Sequence, residues 1–288
     1  MDSRGNSLNK EIICKRLHDT LQTEKILIAA HRGTPGANII ENTIDAYQNA
    51  LLHGANIIEC DVACTVDGVC YMFHDGNEKR LLGVEQNIKT MTSREVDELH
   101  YINHNGCKTA RKVDRLDQAL ECFKGRCLIN LDRCWDYWDK VFELVLKYDM
   151  FDQILIKSAV KPEYLEYLES YPVPVMYFPI VYKPEEVHIV REYDVNLVGL
   201  ELIFDNEDSS LLDETFLDSC MREGLFLWVN AITISDNHIY TAKRDDNCSI
   251  LKDMDEGWGW LLDKGFNVIQ TDWPMLLKQY IHKKKYTL

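Results

Sequence analysis

The sequence predicts an α/β fold: a closed (β/α)8 TIM barrel with a small insertion between its second and third strands, formed by one domain over residues 1–288. Two patterns carry that prediction. Eight short apolar, β-branched runs recur along the chain, each nearly continuous in hydrophobicity, as parallel strands covered on both faces must be. Helical stretches with recognisable ends separate them, the β-then-α alternation that closes barrels. A doubly wound open sheet shares this alternation and stays open on strand count alone.

The runs are 26–30, 57–62, 127–131, 153–157, 173–179, 197–203, 225–229 and 267–270. Between them, the stretch from Thr43 to Leu52 carries apolar residues at helical spacing. Pro162 and Pro184 stand where a first helical turn tolerates proline, and Gly224 and Gly265 follow helical stretches 208–223 and 255–264 as C-caps do. About fifty residues from Asp75 to Arg126 are too many for one crossover. Thr92 with Glu95 reads there as a capping box, and residues 114–123 as a further helix. A second long stretch, Ala231–Asp253, precedes the last helix, and such insertions belong on the functional face.

Composition narrows the function classes. A formal charge of −15 excludes a nucleic-acid partner, which needs clustered cations. The run Lys283–Lys285 beside His282 reads as a solvated tail. The ten cysteines contain no CxxC pair and several fall in apolar patterns, so free thiols and a reducing, cytoplasmic compartment are expected. The N-terminus lacks a signal-peptide pattern, and no apolar run has transmembrane length.

Polar residues collect at the predicted C-terminal strand ends: His31-Arg32-Gly33, Glu59-Cys60-Asp61, Asp132, Lys157, Glu201, Trp228-Val229-Asn230 and Thr271-Asp272, with His74-Asp75 beyond the second strand. Glu59 and Asp61, two apart on a strand, point to one face. Two like charges there require something positive between them. An oxygen-loving divalent cation, Mg2+ or Ca2+, meets that need with Asp132 as a third ligand, and pairing with Arg32 or Lys157 meets it without metal. His31 and His74 flank the acids as an acid–base pair would, whereas His18, His53, His100, His104, His188, His238 and His282 read as structural.

The series His31-Arg32-Gly33, Glu41-Asn42-Thr43, Gly54 to Val62 with Glu59 and Asp61, Thr65-Val66-Asp67-Gly68 and His74-Asp75 resembles the glycerophosphodiester phosphodiesterase family in order and spacing. The pieces 128–132, 228–230 and 270–274 extend the resemblance over nearly the whole length. It implies a small-molecule glycerophosphodiester substrate hydrolysed to sn-glycerol 3-phosphate and an alcohol. It further implies His31 and His74 as catalytic groups, Arg32 on the phosphate, and a metal on Glu59, Asp61 and Asp132. Family members are thought to use the substrate's own glycerol hydroxyl as nucleophile, through a cyclic phosphate that water opens.

Two departures stand out. Asp132 replaces the usual glutamate, and Cys134 the usual lysine. Lys157 is expected to supply the missing cation, or else to snorkel at its strand end. Glu41 and Asn42 are expected to order their turn and cap the following helix. Trp228 reads equally as an apolar substrate wall or as core, and Glu201 and Asn230 as possible pocket residues. Alternative activities on the same site are a lysophospholipase D-like or sugar-phosphodiester hydrolase, with a mouth set by the Asp75–Arg126 insertion. A non-catalytic binding barrel is the remaining alternative.

Overall fold

The computed structural model describes residues 3–235 and 237–284. Lys285, the last of the basic run, lies outside the described residues; Lys284 pairs with Asp255 at 2.6 Å.

All eight predicted runs form strands. They are β1 (Leu27–Ala30), β2 (Ile57–Cys64), β4 (Leu128–Asp132), β5 (Ile154–Ala159), β6 (Met176–Val181), β7 (Gly199–Leu202), β8 (Phe226–Asn230) and β9 (Val268–Thr271). Each pairs in parallel with its neighbours, and β1 bonds to both β9 and β2, which closes the barrel and excludes the open sheet. Strand residues are buried almost without exception, because alternate side chains face the barrel interior and the helical ring.

The extra strand β3 (Cys70–Met72) pairs antiparallel with β2 through a tight turn in which Gly68 adopts φ +83°. The insertion therefore starts at residue 65, ten residues before the predicted boundary. The sequence places His74-Asp75 beyond the second strand and shows no separate strand before them, since three residues carry too little pattern to see. In this hairpin Cys64 and Cys70 are register partners with Cα atoms 4.2 Å apart, and they form a disulfide. That corrects the expectation of uniformly free thiols: a cross-strand pair needs only alignment, not a CxxC spacing.

The insertion carries a small core of Tyr71, Phe73, Leu82, Ile88 and Tyr101 among others, joined by Ile40 from the loop after β1. The Thr92–Glu95 capping box forms as predicted, with both reciprocal hydrogen bonds. At the opposite end of the barrel, an N-terminal helix (Ser3–Glu24) missed by the sequence reading buries Ile13, Cys14 and Leu17 against the core. It also stacks His18 on Phe226 and pairs Arg16 with Asp152. Two predicted helices shorten: 208–223 becomes a 3-10 turn and Glu214–Arg222, and 255–264 opens with a π-helical turn at Asp255–Gly259. Among the described residues no helix is long and apolar enough to cross a membrane.

Gly199, at the start of β7, allows Phe178 to fill the barrel interior: an added Cβ would lie 2.3 Å from that ring and 2.5 Å from the Phe226 carbonyl oxygen. Gly199→Ala is therefore expected to destabilise the barrel by about 1–3 kcal/mol through overpacking. Urea unfolding checks this, and an unchanged midpoint would show that the interior relaxes freely.

Candidate active site

The turn after β1 builds the first wall. Arg32 (φ +54°) and Gly33 (φ +81°) both take left-handed conformations. At Gly33 a Cβ would sit 2.7 Å from the Ala46 carbonyl carbon, so only glycine lets the turn lie on the helix Ile44–Leu52. The Arg32 backbone N–H donates to Glu59 Oε2 at 2.8 Å, and its carbonyl accepts from Asn42 N–H at 3.0 Å. His31 is thereby aimed inward, and its Nδ1–H donates to Asp272 Oδ1 at 2.8 Å. Burial opposes the charged imidazole, but the Asp272 hydrogen bond and the Glu59 and Asp272 charges outweigh it and raise the His31 pKa.

Asp272 is itself held. Its N–H donates to Asp246 Oδ2 at 2.9 Å, and Asp246 Oδ1 accepts from Trp258 Nε1 at 2.8 Å and Thr271 Oγ1 at 2.7 Å. Asp246 is buried, and burial pushes its carboxyl up to about 7. Sequence reading missed Asp246 and gave Asp272 no role. Asp246 belongs to the long stretch before the last helix, and no local spacing ties it to strand ends.

The carboxylates form the floor. Glu59 and Asp61 face inward from β2, and Asp132 is the register partner of Asp61 on β4. Burial and the Asp61 and Asp132 charges push Glu59 up to about 8, with His31 and Arg32 opposing. Burial pushes Asp132 up to about 6, Glu201 and Asp61 adding to it while Lys157 opposes. Two buried acids and the half-buried Asp132 under such mutual repulsion have the donor chemistry a divalent cation requires. Yet among the described residues no group of three or more His, Cys, Asp or Glu side chains is arranged to hold a metal ion. The three acids expected as ligands share one cavity without being drawn into a ligand cluster. Arg32 Nε stands 2.9 Å from Asp61 Oδ2, which also accepts from Asn42 Nδ2 at 2.9 Å, so a guanidinium takes the cationic place.

Glu41 and Asn42 differ from expectation. Thr43 caps the helix, its Oγ1 accepting from Ala46 N–H at 3.2 Å. Asn42 instead clamps Asp61, its Oδ1 taking the Asp61 N–H at 3.1 Å and the Tyr47 hydroxyl at 2.7 Å. Glu41 bonds Arg32 Nη1 at 3.0 Å and Arg80 Nη2 at 2.8 Å.

His74 closes the other side. Its Nδ1 lies 2.8 Å from the Asp75 carbonyl, which only accepts, so Nδ1 carries the proton and Nε2 is left with its lone pair. Burial first, then Arg32 and Arg133, lower the His74 pKa against the pull of Asp61. Buried Glu78 fixes this turn by accepting from Gly76 N–H at 2.7 Å and Ile88 N–H at 2.9 Å. Arg133 (φ +55°) reaches Asp75 Oδ1 at 2.8 Å, and Lys89 reaches Asp75 Oδ2 at 2.8 Å.

His31, Arg32, Glu59, Asp61, Asp132, His74 and Asn230 all line one cavity of about 240 Å³. Arg133, Glu201, Gln270 and Tyr240 line it too. Of these, Arg133 carries no strand-end signal, because β4 ends at Asp132. Lys157 and Trp228 do not line it, which corrects both as direct substrate contacts. Lys157 is fully buried, paired with Glu201, 3.2 Å from Gln270 Oε1 and 3.5 Å above the Trp228 ring. Trp228 Nε1 donates to Asn230 Oδ1 at 3.0 Å, and Asn230 Nδ2 to Glu201 Oε1 at 2.8 Å. These residues brace the floor from below. Cys134 is also buried, turned to the Leu131 carbonyl rather than to the cavity.

Residues 31–172 match the glycerophosphoryl diester phosphodiesterase family, and residues 177–281 match a domain of unknown function. A lysophospholipase D of Mus musculus is 37% identical over 47% of this chain and 43% of its own length. A glycerophosphodiester phosphodiesterase of Caldanaerobacter subterraneus is 40% identical over 47% of each chain. The chain thus spans about half the length of these two relatives. A lysophospholipase D of Rattus norvegicus is 23% identical over 88% of this chain and 85% of its own length. In fold, the chain is similar to a glycerophosphoryl diester phosphodiesterase from Parabacteroides distasonis (TM-score 0.73, 18% identity, 90% of this chain and 87% of the other). It is similar also to an Oleispira antarctica phosphodiesterase solved with sn-glycerol-3-phosphate (TM-score 0.66, 17% identity, 91% and 99%).

Removing Lys157 alone would strand a buried Glu201 charge. Lys157→Met is expected to cost about 3–5 kcal/mol of stability, and adding Glu201→Leu to recover most of it. A double-mutant cycle by urea unfolding measures this, and additive losses would refute the coupling.

Proposed function

We propose that the chain is a member of the glycerophosphodiester phosphodiesterase family and hydrolyses a glycerophosphodiester to sn-glycerol 3-phosphate and the head-group alcohol. His31 and His74 act as the acid–base pair, and one divalent cation, Mg2+ or Ca2+, is required. One observation supports this above all: two imidazoles on separate turns, four carboxylates and two guanidinium groups share a single cavity of about 240 Å³.

In this reading the glycerol 2-hydroxyl attacks phosphorus. His74, neutral with Nε2 free, takes its proton, and His31, protonated beside Asp272, gives one to the leaving alcohol. Water then opens the cyclic phosphate with the two histidines exchanging roles. Arg32 and Arg133 bind the phosphate oxygens, a task their planar donors suit. Asn230 offers its amide to a glycerol hydroxyl, while Lys157 and Trp228 support Asp132 and Asn230 from beneath. Glu59, Asp61 and Asp132 would hold the cation, which when bound neutralises phosphoryl charge. A cytoplasmic setting is proposed from the many buried free thiols. Cell fractionation followed by immunoblotting tests it, and recovery of the chain outside the cytosolic fraction would overturn it.

Glycerol 3-phosphate release from glycerophosphocholine should require Mg2+ or Ca2+ and stop with EDTA. His31→Ala and His74→Ala should each lower kcat by about 10²–10⁴-fold, and Arg133→Ala should raise KM by about tenfold or more. Full activity in EDTA, or in either histidine variant, would sink the mechanism.

The pH profile of kcat/KM supplies a further check. His74 must be neutral, so activity falls below its lowered pKa; His31 must be protonated, so activity falls above its raised pKa. The groups facing His31 are Asp272, Glu59 and Arg32, and of these Asp272 bonds it directly. Asp272→Asn should move the alkaline limb to lower pH and leave the acid limb in place. An unmoved alkaline limb would remove His31 as the acid.

A further inference from the structure

Tyr240 lines the catalytic cavity together with His31, Arg32, His74 and Arg133, yet no step described so far uses its hydroxyl. The chain that carries it leaves β8 at Asn230 and doubles back, so that the Asp246 N–H donates to the Ala231 carbonyl at 2.6 Å. Between those ends it is fastened to the segment beyond β7. The Phe204 N–H donates to the Tyr240 carbonyl at 3.0 Å, and the Ala242 N–H donates to the Phe204 carbonyl at 2.9 Å. Phe204 and Thr241 thereby form a parallel bridge, and in such extended chain successive side chains point to opposite sides. Thr241 is buried, which leaves Tyr240 turned into the cavity.

Burial raises the Tyr240 pKa first; the Glu201 and Asp132 charges add to this, while Arg32 and Arg133 oppose it. The balance lies above the ordinary phenol value, so at neutral pH the hydroxyl keeps its proton and serves as a donor. Both nearby carboxylates already accept elsewhere. Glu201 is engaged by Lys157 and Asn230, and Asp132 Oδ1 takes the Arg133 N–H at 2.7 Å. Among the described residues no group hydrogen-bonds the Tyr240 hydroxyl. A neutral donor thus stands unused within range of two guanidinium groups, and the partner this set of donors lacks is an anion.

Resting on the phosphodiesterase reading above, we infer that Tyr240 is a further catalytic residue, its hydroxyl donating to a non-bridging phosphoryl oxygen of the diester beside Arg32 and Arg133. No proton is transferred in this contact. The oxygen it holds is neither the attacking nor the leaving one, and charge gathering there as the 2-hydroxyl adds strengthens the bond. The same oxygen persists in the product, so sn-glycerol 3-phosphate reports the contact without turnover.

The test uses the full chain with Mg2+ and with Ca2+, unaltered and as Tyr240→Phe and Tyr240→Ala. Choline release from glycerophosphocholine gives kcat/KM, and calorimetric titration with sn-glycerol 3-phosphate gives affinity. A hydrogen bond to a charged oxygen is worth about tenfold or more. Tyr240→Phe should therefore lower kcat/KM and weaken sn-glycerol 3-phosphate binding by about that factor each, with an unchanged melting temperature. Losses confined to Tyr240→Ala, with Tyr240→Phe like the unaltered protein, make the ring a wall and overturn the inference. A fall in kcat/KM with undiminished sn-glycerol 3-phosphate binding puts the hydroxyl on another part of the substrate and also overturns it. Cleavage of no diester by the unaltered protein sinks the phosphodiesterase reading instead, and the titration alone then decides the hydroxyl. Absence of both cleavage and binding overturns the two together.

Discussion

Mutual repulsion among Glu59, Asp61 and Asp132 is the constraint on which the site depends. Parallel register puts Asp61 beside Asp132, and the two-residue repeat of a strand puts Glu59 on the same face. The barrel then removes all three from most of the solvent. Left alone, such an array would neutralise by protonation or expel a strand end. Around it stand the cations that prevent this: Arg32 on Asp61, and Lys157 close enough to lower Asp132. Reading the site outward from this charge accounts for most of its unusual backbone, because Arg32 and Arg133 reach their places through left-handed turns.

A layer of buried polar residues holds those charges still. Asn42 clamps Asp61 from both its amide oxygen and its nitrogen, Asp246 holds the Asp272 turn, and Glu78 ties the His74 turn to the insertion. Below the floor, Lys157, Glu201, Trp228, Asn230 and Gln270 satisfy one another inside the barrel. Networks of this kind are stable only when every member is paired, so each brings a geometric requirement as well as energy. Precision at the imidazoles is thus set in large part by Asn42, Glu78, Lys157, Trp228 and Asp246, none of which lines the cavity.

The legible part of this arrangement was whatever periodicity or strand-end position encodes. Eight buried runs gave the barrel, and polar residues at their C-terminal ends gave His31, Glu59, Asp61, Asp132 and Asn230, which do line one cavity. What stayed hidden depends on contacts between distant segments. Asp246 is 26 residues from the Asp272 N–H it accepts, and Arg133 enters the cavity only because its own φ is positive. Lys157 illustrates the opposite error: strand-end position placed it correctly in sequence, but its inward side chain meets Glu201 and stops beneath the floor. The disulfide escaped for a related reason, since hairpin register is invisible until the short strand is recognised.

Because the segment bearing His74 has a hydrophobic nucleus of its own, the two imidazoles are mounted on separately consolidated bodies. Their separation is then governed by how the smaller body seats on the larger, much as the gap of a caliper is set by its sliding jaw. Exchanges at Phe73, Ile88 or Tyr101 would act on that gap through the small nucleus, which meets the barrel at Ala63 of β2. Such a layout leaves a lineage free to accommodate bulkier or slimmer leaving groups while the phosphate grip is inherited intact.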